Sequence, residues 1–395
     1  MNLPEDFIRE TRLVMGEKRF SRYLEAFNED APTSIRLNPI KRGERPEVKG
    51  ENVPWCPEGY YLEGRPQFTF DPLFHAGCYY VQEASSMFIT HVVRSLASSV
   101  IPLTSALDMC AAPGGKSTAL RTVLPENCTL ISNEPIPNRA QILLENITKW
   151  GWPDCIVTSC YPHDFHKAKA RFDLILCDVP CSGEGMFRKD PATISEWNLQ
   201  NVEKCWRLQR EIVADAWECL NPGGLLIYST CTFNIKENEE NVRWIIEEYD
   251  AEVLEIPTKP EWNITGSLLE GFNAPVYRFI PGITRGEGLF LCAIRKKKDT
   301  SGSVRKALPV KSLTTDMPEG DYPKVDLPYS EALNYLRGEA LILPPDTPRG
   351  IVTITYKGFA LGPAKNIGNR ANNLYPKPWR IKTTHLPSEP VEILP

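Results

Sequence analysis

Leu107-Asp108-Met109-Cys110-Ala111-Ala112-Pro113-Gly114-Gly115-Lys116-Ser117 decides the fold. A small and apolar run, Leu103 to Leu107, leads into it, and a helix-forming run, Ser117 to Leu124, follows. The pattern is strand, tight turn, helix. No bulky side chain stands between Cys110 and Gly115, so a ligand can approach the backbone closely there. The following helix N-terminus offers free N–H groups to a polar or anionic group. In an open α/β sheet such a turn lies at the carboxyl ends of the strands, where ligands bind.

Two nucleotide loops fit poorly. Gly115-Lys116-Ser117 matches the end of a phosphate-binding loop, but the first glycine of that loop would fall at Cys110. A dinucleotide fingerprint needs spaced glycines, and these are adjacent. A plain structural turn accounts for two glycines, but not for two cysteine motifs at later strand ends.

Downstream, strands and helices alternate. Thr129 to Asn133 predicts a strand ending at Glu134, and Asn138 to Trp150 a helix closed by Gly151. Cys155 to Thr158 reads as a strand leading towards Asp164, and Phe172 to Cys177 as one ending at Asp178. A helix from about Asn201 to Leu220 stops at Asn221-Pro222-Gly223-Gly224, and Leu225 to Tyr228 is the next strand, ending at Ser229-Thr230-Cys231. Apolar, unalternating strands in β-α units indicate a mostly parallel sheet covered on both faces. Val276 to Ile280 and Leu289 to Ile294 would close it as a hairpin-like edge.

Upstream, two helices broken near Gly16 precede an extended Ser34–Pro39. Their Arg9, Arg12, Lys18, Arg19 and Arg22 interleave with acids and read as a solvated face. Pro54-Trp55-Cys56-Pro57, Tyr60 to Leu62 and Tyr79 to Gln82 look like short strands, and Glu83 to Leu96 like a helix. After a basic, then Ser-, Gly- and Pro-rich stretch, the tail changes character. Tyr329 to Leu336 reads as a helix; Ala340 to Leu343, Gly350 to Tyr356 and Gly358 to Gly362 read as strands. Arg349, Lys357, Lys365, Arg370, Lys377, Arg380 and Lys382 occur there with no acid between Thr347 and Ser388, and Tyr356, Phe359, Tyr375 and Trp379 lie among them. Bases neutralise phosphates and aromatics stack on nucleobases, so the tail predicts nucleic-acid binding, against the alternative of a small β domain whose basic face binds nothing.

Composition narrows the classes. Of 395 residues, 42% are hydrophobic and 24% charged, as in a soluble globular protein. No apolar run reaches the ~18 residues of a membrane span. Met1-Asn2-Leu3-Pro4-Glu5-Asp6 has no signal-peptide pattern, so a cytoplasmic location is expected. The 12 cysteines are scattered and form no C-x-x-C pair, which favours buried or catalytic thiols over a zinc site. A net charge of −5 opposes global attraction to nucleic acid but not a local basic patch.

Glu134, Asp164, Asp178 and Cys231 end neighbouring strands or their loops and would ring the crevice. An acid after the second strand suits a pair of ribose hydroxyls, hence a nucleoside-bearing cofactor. Asp178-Val179-Pro180-Cys181-Ser182-Gly183-Glu184-Gly185 and Ser229-Thr230-Cys231-Thr232 are the specific signals. On these motifs the chain resembles the Nop/Sun family of RNA cytosine-C5 methyltransferases, which use S-adenosylmethionine. The resemblance runs from about residue 30 to 296, and takes in Val81 to Met87 and Arg278 to Phe290 with Gly286-Glu287-Gly288. Lys365-Asn366-Ile367-Gly368-Asn369-Arg370 resembles the PUA-like RNA-binding tail of one bacterial 16S rRNA methyltransferase type.

The resemblance implies an α/β fold: a Rossmann-like S-adenosylmethionine-dependent methyltransferase domain (49–298), an N-terminal helical extension (1–48), a linker (299–322) and a PUA-like β-rich domain (323–395). Cys231 would be the nucleophile, Cys181 would aid product release, and Asp178 would activate the cytosine. Cys110, Ala111, Ala112, Pro113, Gly114, Gly115, Lys116, Glu134, Asp164 and Asp178 would line the cofactor site, with Lys116 also reaching towards substrate. The implied partner is RNA, with 16S rRNA or the small ribosomal subunit as target, for a monomer without metal or membrane. A tRNA substrate, an RNA-binding assembly factor with a vestigial site, and a DNA-type enzyme with the cysteine roles exchanged are the alternatives.

Overall fold

The computed structural model describes residues 3–41, 48–100, 102–297, 312–391 and 393–394. At its centre are β5 (Ser105–Asp108), β6 (Thr129–Asn133), β7 (Cys155–Thr158), β8 (Phe172–Asp178), β9 (Leu220–Thr230), β10 (Ala251–Leu254), β11 (Tyr277–Phe279) and β12 (Leu289–Lys296). They run in the order β10-β12-β9-β8-β5-β6-β7, with β11 paired on β12. Neighbours from β9 to β7 are parallel; β12 is antiparallel to β9 and β10 to β12. The strand order reverses between β5 and β8, which opens a crevice at their carboxyl ends.

The helices on this sheet are α3 (Phe88–Leu96), α4 (Gly115–Val123), α5 (Pro137–Trp150), α6 (Pro162–Lys167), α7 (Ala192–Glu196), α8 (Leu199–Cys219) and α9 (Glu239–Glu248). Phe88, Val92 and Leu120 pack on one face against Leu174 and Ile227. Ile212, Val213, Trp217 and Ile245 pack on the other against Leu107, Ile175 and Phe290. Every residue of β8 but the last is buried, as an unalternating apolar strand requires. Pro137 opens α5, and Gly151 closes it in the left-handed region at φ 72°.

Several local expectations need correction. Leu289 to Ile294 is not an edge: β12 lies inside the sheet, and β10, with only Ala251 and Leu254 buried, forms the border. Helix α8 stops at Cys219, and Asn221-Pro222-Gly223-Gly224 belongs to the start of β9, where Asn221 donates to Asp173 Oδ1 at 2.8 Å. Pro54 to Pro57 is a turn, since Cys56 N–H bonds Val53 O and Gly59 N–H bonds Cys56 O.

A second sheet, ordered β2-β3-β1-β4, comprises β1 (Thr33–Leu37), β2 (Glu51–Asn52), β3 (Gly59–Leu62) and β4 (Tyr79–Val81), with α2 (Pro72–His75) between β3 and β4 in the chain. It pairs β1 with β3 and β4, so a division at residue 48 falls within one sheet. Before it, α1 (Glu5–Glu25) bends at Gly16, at φ 71°. Its Phe7, Met15, Phe20 and Tyr23 are buried against Phe187, Trp197 and Phe233, while its five bases face solvent. The helix is thus a buttress for the loops after β8 and β9.

The third sheet holds β13 (Lys324–Asp326), β14 (Gly350–Tyr356), β15 (Phe359–Asn366) and β16 (Ala371–Asn373), with α10 (Tyr329–Arg337) beside it. Ala340 to Leu343 contributes only a bridge between Leu341 and Ala371. This sheet shares its core with the second: Leu333, Tyr335 and Ile354 pack with Ile35, Leu37, Leu73 and Tyr79. Of the linker 299–322, residues 299–311 lie outside the described residues, and Leu313 bonds Val157 on β7 at 2.8 Å.

Candidate active site

The opening turn caps the crevice. Gly114 adopts φ 112°, where a side chain would be strained, and α4 begins at the next residue. Behind α4 lies fully buried Arg36, which donates to Gln82 Oε1 at 2.8 Å and Thr118 Oγ1 at 2.6 Å and stacks over Trp150. Burial lowers its pKa to about 10. A second-sheet residue thereby fixes the helix that carries Lys116.

Lys116 Nζ reaches 2.8 Å from Asp178 Oδ2 across the reversal point. Burial alone would lower the lysine pKa, but the Asp178 carboxylate outweighs this and raises it. The register sets Asp178 opposite Ser229, whose hydroxyl donates to Asp178 Oδ1 at 2.7 Å. Both carboxylate oxygens are thus held.

Cys181 and Cys231 follow β8 and β9, and their sulfurs meet at 3.3 Å. The hydrogen bond to the Cys231 sulfur, then burial, raises the Cys181 pKa well above a free thiol's. Cys181 therefore keeps its proton, and a hydrogen bond joins the two sulfurs. Around the pair, Gly185 N–H bonds Cys231 O at 2.7 Å; a Cβ at Gly185 would sit 2.6 Å from that oxygen. Glu184 accepts Phe233 N–H and Asn234 N–H at 2.7 and 3.0 Å, and Glu237 accepts Ser182 N–H at 3.0 Å. The two thiol turns are tied together by buried carboxylates.

A cavity of about 260 Å³ adjoins this centre, lined by Tyr80, Gln82, Asp108, Cys110 to Pro113, Gly115, Lys116 and Asp178 among others. Asp108 was not expected as a site residue, although it stands inside the opening motif. It is fully buried; Ser117 donates to its Oδ2 at 2.6 Å, while Oδ1 makes no well-formed hydrogen bond. Burial pushes its carboxyl up to about 7, and nearby Asp178 adds to this. Burial likewise raises the Cys110 thiol, which suits an inert wall.

Two expected residues fare differently. Glu134 ends β6 as expected, but its buried carboxylate accepts Ile136 N–H at 3.0 Å and faces Arg139 at 3.4 Å. Asp164 is not brought to the cavity. It is exposed, and its carboxylate accepts Tyr161 N–H at 2.9 Å to cap α6. Ser229, Glu184 and Glu237 escaped sequence reasoning; only the Ser-Thr-Cys and Gly-Glu-Gly contexts could have pointed to the first two.

The eight-stranded sheet, the small-residue turn and the strand-end thiols define a Rossmann-like methyltransferase fold. The chain belongs to the RsmB/F family of 16S rRNA methyltransferases. The family described as "16S rRNA methyltransferase RsmB/F" matches residues 102–295. The N-terminal domain of 16S rRNA methyltransferase RsmF matches residues 3–84, and the methyltransferase RsmF PUA domain matches residues 322–381. A ribosomal RNA small subunit methyltransferase F from Aliivibrio salmonicida is 31% identical over 323 residues, covering 78% of this chain and 67% of that relative. The one from Cronobacter sakazakii is 36% identical over 252 residues, covering 62% and 51%. The chain spans about half to two thirds of the length of these relatives. A methyltransferase homolog protein from Pyrococcus horikoshii, 27% identical, superposes with a TM-score of 0.61 over 74% of this chain and 95% of its own. NSun6 from the same organism, 21% identical, has a TM-score of 0.61 over 75% and 99%, a likeness of fold.

Proposed function

We propose that this chain transfers a methyl group from S-adenosylmethionine to C5 of a cytosine in 16S rRNA, through a covalent Cys231 adduct. The observation that carries this reading is the 3.3 Å thiol pair beside the Lys116–Asp178 ion pair. Two contacting thiols in the turns after neighbouring strands match a reaction with a nucleophile and a separate proton carrier.

The residues lining the cavity fit S-adenosylmethionine. Asp108 offers a buried acceptor and the Cys110–Gly115 turn leaves backbone accessible, while Glu134, just after β6 and outside the cavity lining, is the acid proposed for the ribose hydroxyls. When bound, the cofactor supplies an electrophilic methyl group.

The chain's own residues account for the rest. The target base leaves its stack to reach the paired sulfurs. Cys231, as thiolate, adds to C6, because only thiolate is nucleophilic. Asp178, held by Lys116 and Ser229, hydrogen-bonds the cytosine edge and stabilises the ring protonated at N3, so that C5 gains enamine character. In the resting site Cys181 retains its proton, chiefly because of Cys231. Once the Cys231 sulfur is bonded to carbon, that cause is gone. Cys181 then gives up its thiol proton to water; as thiolate it takes the C5 proton, and the electron pair left at C5 expels Cys231 as thiolate, which restores the pair.

The tail supports RNA as partner. Arg349, Lys357, Lys365, Arg370, Lys377 and Lys382 are exposed on the third sheet, whereas Tyr356 and Tyr375 are buried and serve its core. Charge rather than ring stacking is then its main means of holding RNA.

The test is bisulfite sequencing of 16S rRNA, assembled small subunits and tRNA after incubation with purified protein and S-adenosylmethionine. New 5-methylcytosine in 16S rRNA or the subunit is expected. Modification of tRNA alone would replace the substrate, and none in any RNA would reject the activity.

A further inference from the structure

We propose that His163, His166 and Asp215 form a surface site for a zinc-class divalent cation. The cysteine spacing had argued against zinc, but these ligands are not cysteines and lie on two separate helices.

His163 and His166 stand three residues apart on α6, which packs against α8, the helix that carries Asp215. Both rings aim Nδ1 at the same oxygen, Asp215 Oδ1, at 3.6 Å from His163 and 3.0 Å from His166. One ligand atom from each of the three residues lies within 4.8 Å of the others, the one such group among the described residues. A tetrahedral ion with bonds of about 2.0–2.1 Å separates its ligands by about 3.3 Å. The two measured separations straddle that edge, so the ion needs only side-chain adjustment.

The donor set decides the metal class. Two imidazole nitrogens and one carboxylate oxygen suit zinc and its first-row neighbours, not calcium or magnesium, which take oxygen. His163 is largely exposed, with 70% of its side chain open, so a fourth position stays available to water. An occupied site would clamp α6 to α8. The segment just before α6 is Cys160, whose backbone N–H and C=O both bond the side chain of Asn133, the neighbour of Glu134. The cation would therefore stiffen the loop flanking the crevice without touching substrate.

Chelator-treated, reduced full-length protein should be titrated with zinc by calorimetry and with cobalt by visible absorption. The expected result is one ion per chain, a higher melting temperature with zinc, and a cobalt spectrum without a sulfur charge-transfer band. That band matters because Cys181 and Cys231 offer a rival sulfur site. His163→Ala and His166→Ala should weaken binding at least about tenfold each, as should Asp215→Asn, which keeps the side-chain size; His385→Ala, at an exposed histidine elsewhere, should not. Absence of saturable binding, sulfur ligation of cobalt, or unchanged binding in the three variants would each overturn the site.

Discussion

The sulfurs of Cys181 and Cys231 lie 3.3 Å apart, although 50 residues separate them in the chain. The hydrogen bond to the Cys231 sulfur, then burial, raises the Cys181 thiol, and the proposed reaction makes Cys231 the nucleophile. Cys231→Ala should therefore abolish methylation while leaving S-adenosylmethionine binding nearly intact. Cys181→Ala should instead accumulate a protein–RNA adduct on denaturing gels, and that adduct should vanish in the double variant. The reverse pattern would assign the DNA-type roles.

Ser229 is expected to matter through Asp178. Removing a donor to a charged group costs about 1.5–3 kcal/mol, or roughly ten- to a hundredfold in rate. Ser229→Ala should lower kcat by that amount with little change in KM for S-adenosylmethionine, and Asp178→Asn should lower it by about 10²–10⁴. Turnover of Ser229→Ala at the parent rate would mean that its bond to Asp178 does not position the carboxylate.

Glu237 gives a pH dependence of stability. Burial, with Glu184 nearby, pushes its carboxyl from 4.5 up to about 7. A raised folded pKa favours the protonated form, so its stabilising contribution is full below pH 4.5 and is lost as pH rises through 7. The shift corresponds to at most about 3 kcal/mol. Asp108 and Glu287, both raised to about 7, act in the same direction. Urea titrations from pH 4.5 to 8 should show a smaller fall for Glu237→Gln than for the parent; parallel curves would refute the assignment.

Phe7 links α1 to the catalytic loops, packing edge-on against Phe187 and Trp197 at centroid distances of 5.0 and 5.4 Å. Phe7→Ala should cost about 3–5 kcal/mol. Because Phe187 follows the Cys181 turn, activity should fall even where denaturation curves show the chain folded. Full activity under those conditions would make α1 a structural cap only.

Deleting the tail would expose the core it shares with the second sheet, so charge substitution is the sounder probe of RNA binding. Arg349 and Lys365 flank the paired ends of β14 and β15, and Arg370 precedes β16. Each phosphate contact contributes about −0.7 to −0.9 to the slope of log affinity against log salt. Replacing all three with Ala should weaken RNA binding and flatten that slope by up to about 2.7 units. An unchanged slope would move the RNA surface elsewhere.

Elements whose cause is short-range are legible in the residues alone. Small residues from Cys110 to Gly115 dictate a turn, unbroken apolar runs dictate buried strands, and Pro137 and Gly151 bound a helix. The strand-end motifs of the sequence also placed Asp178 at the end of β8 and Cys181 and Cys231 in the turns that follow β8 and β9. Only the tertiary structure decided which side chains meet. Ser229 serves Asp178 because parallel register sets them side by side, and β12 enters the sheet because its buried residues need cover on both faces. Asp164 stands apart from the cavity for the opposite reason: a local bond from Tyr161 N–H holds its carboxylate at the start of α6. The tail's tyrosines were read as stacking rings, but burial in a core shared with distant β1 and β4 claims them. His163 and Asp215 are likewise neighbours only through the packing of two helices. Periodicity and turn chemistry act over a few residues, whereas partner choice depends on contacts between residues far apart in the chain.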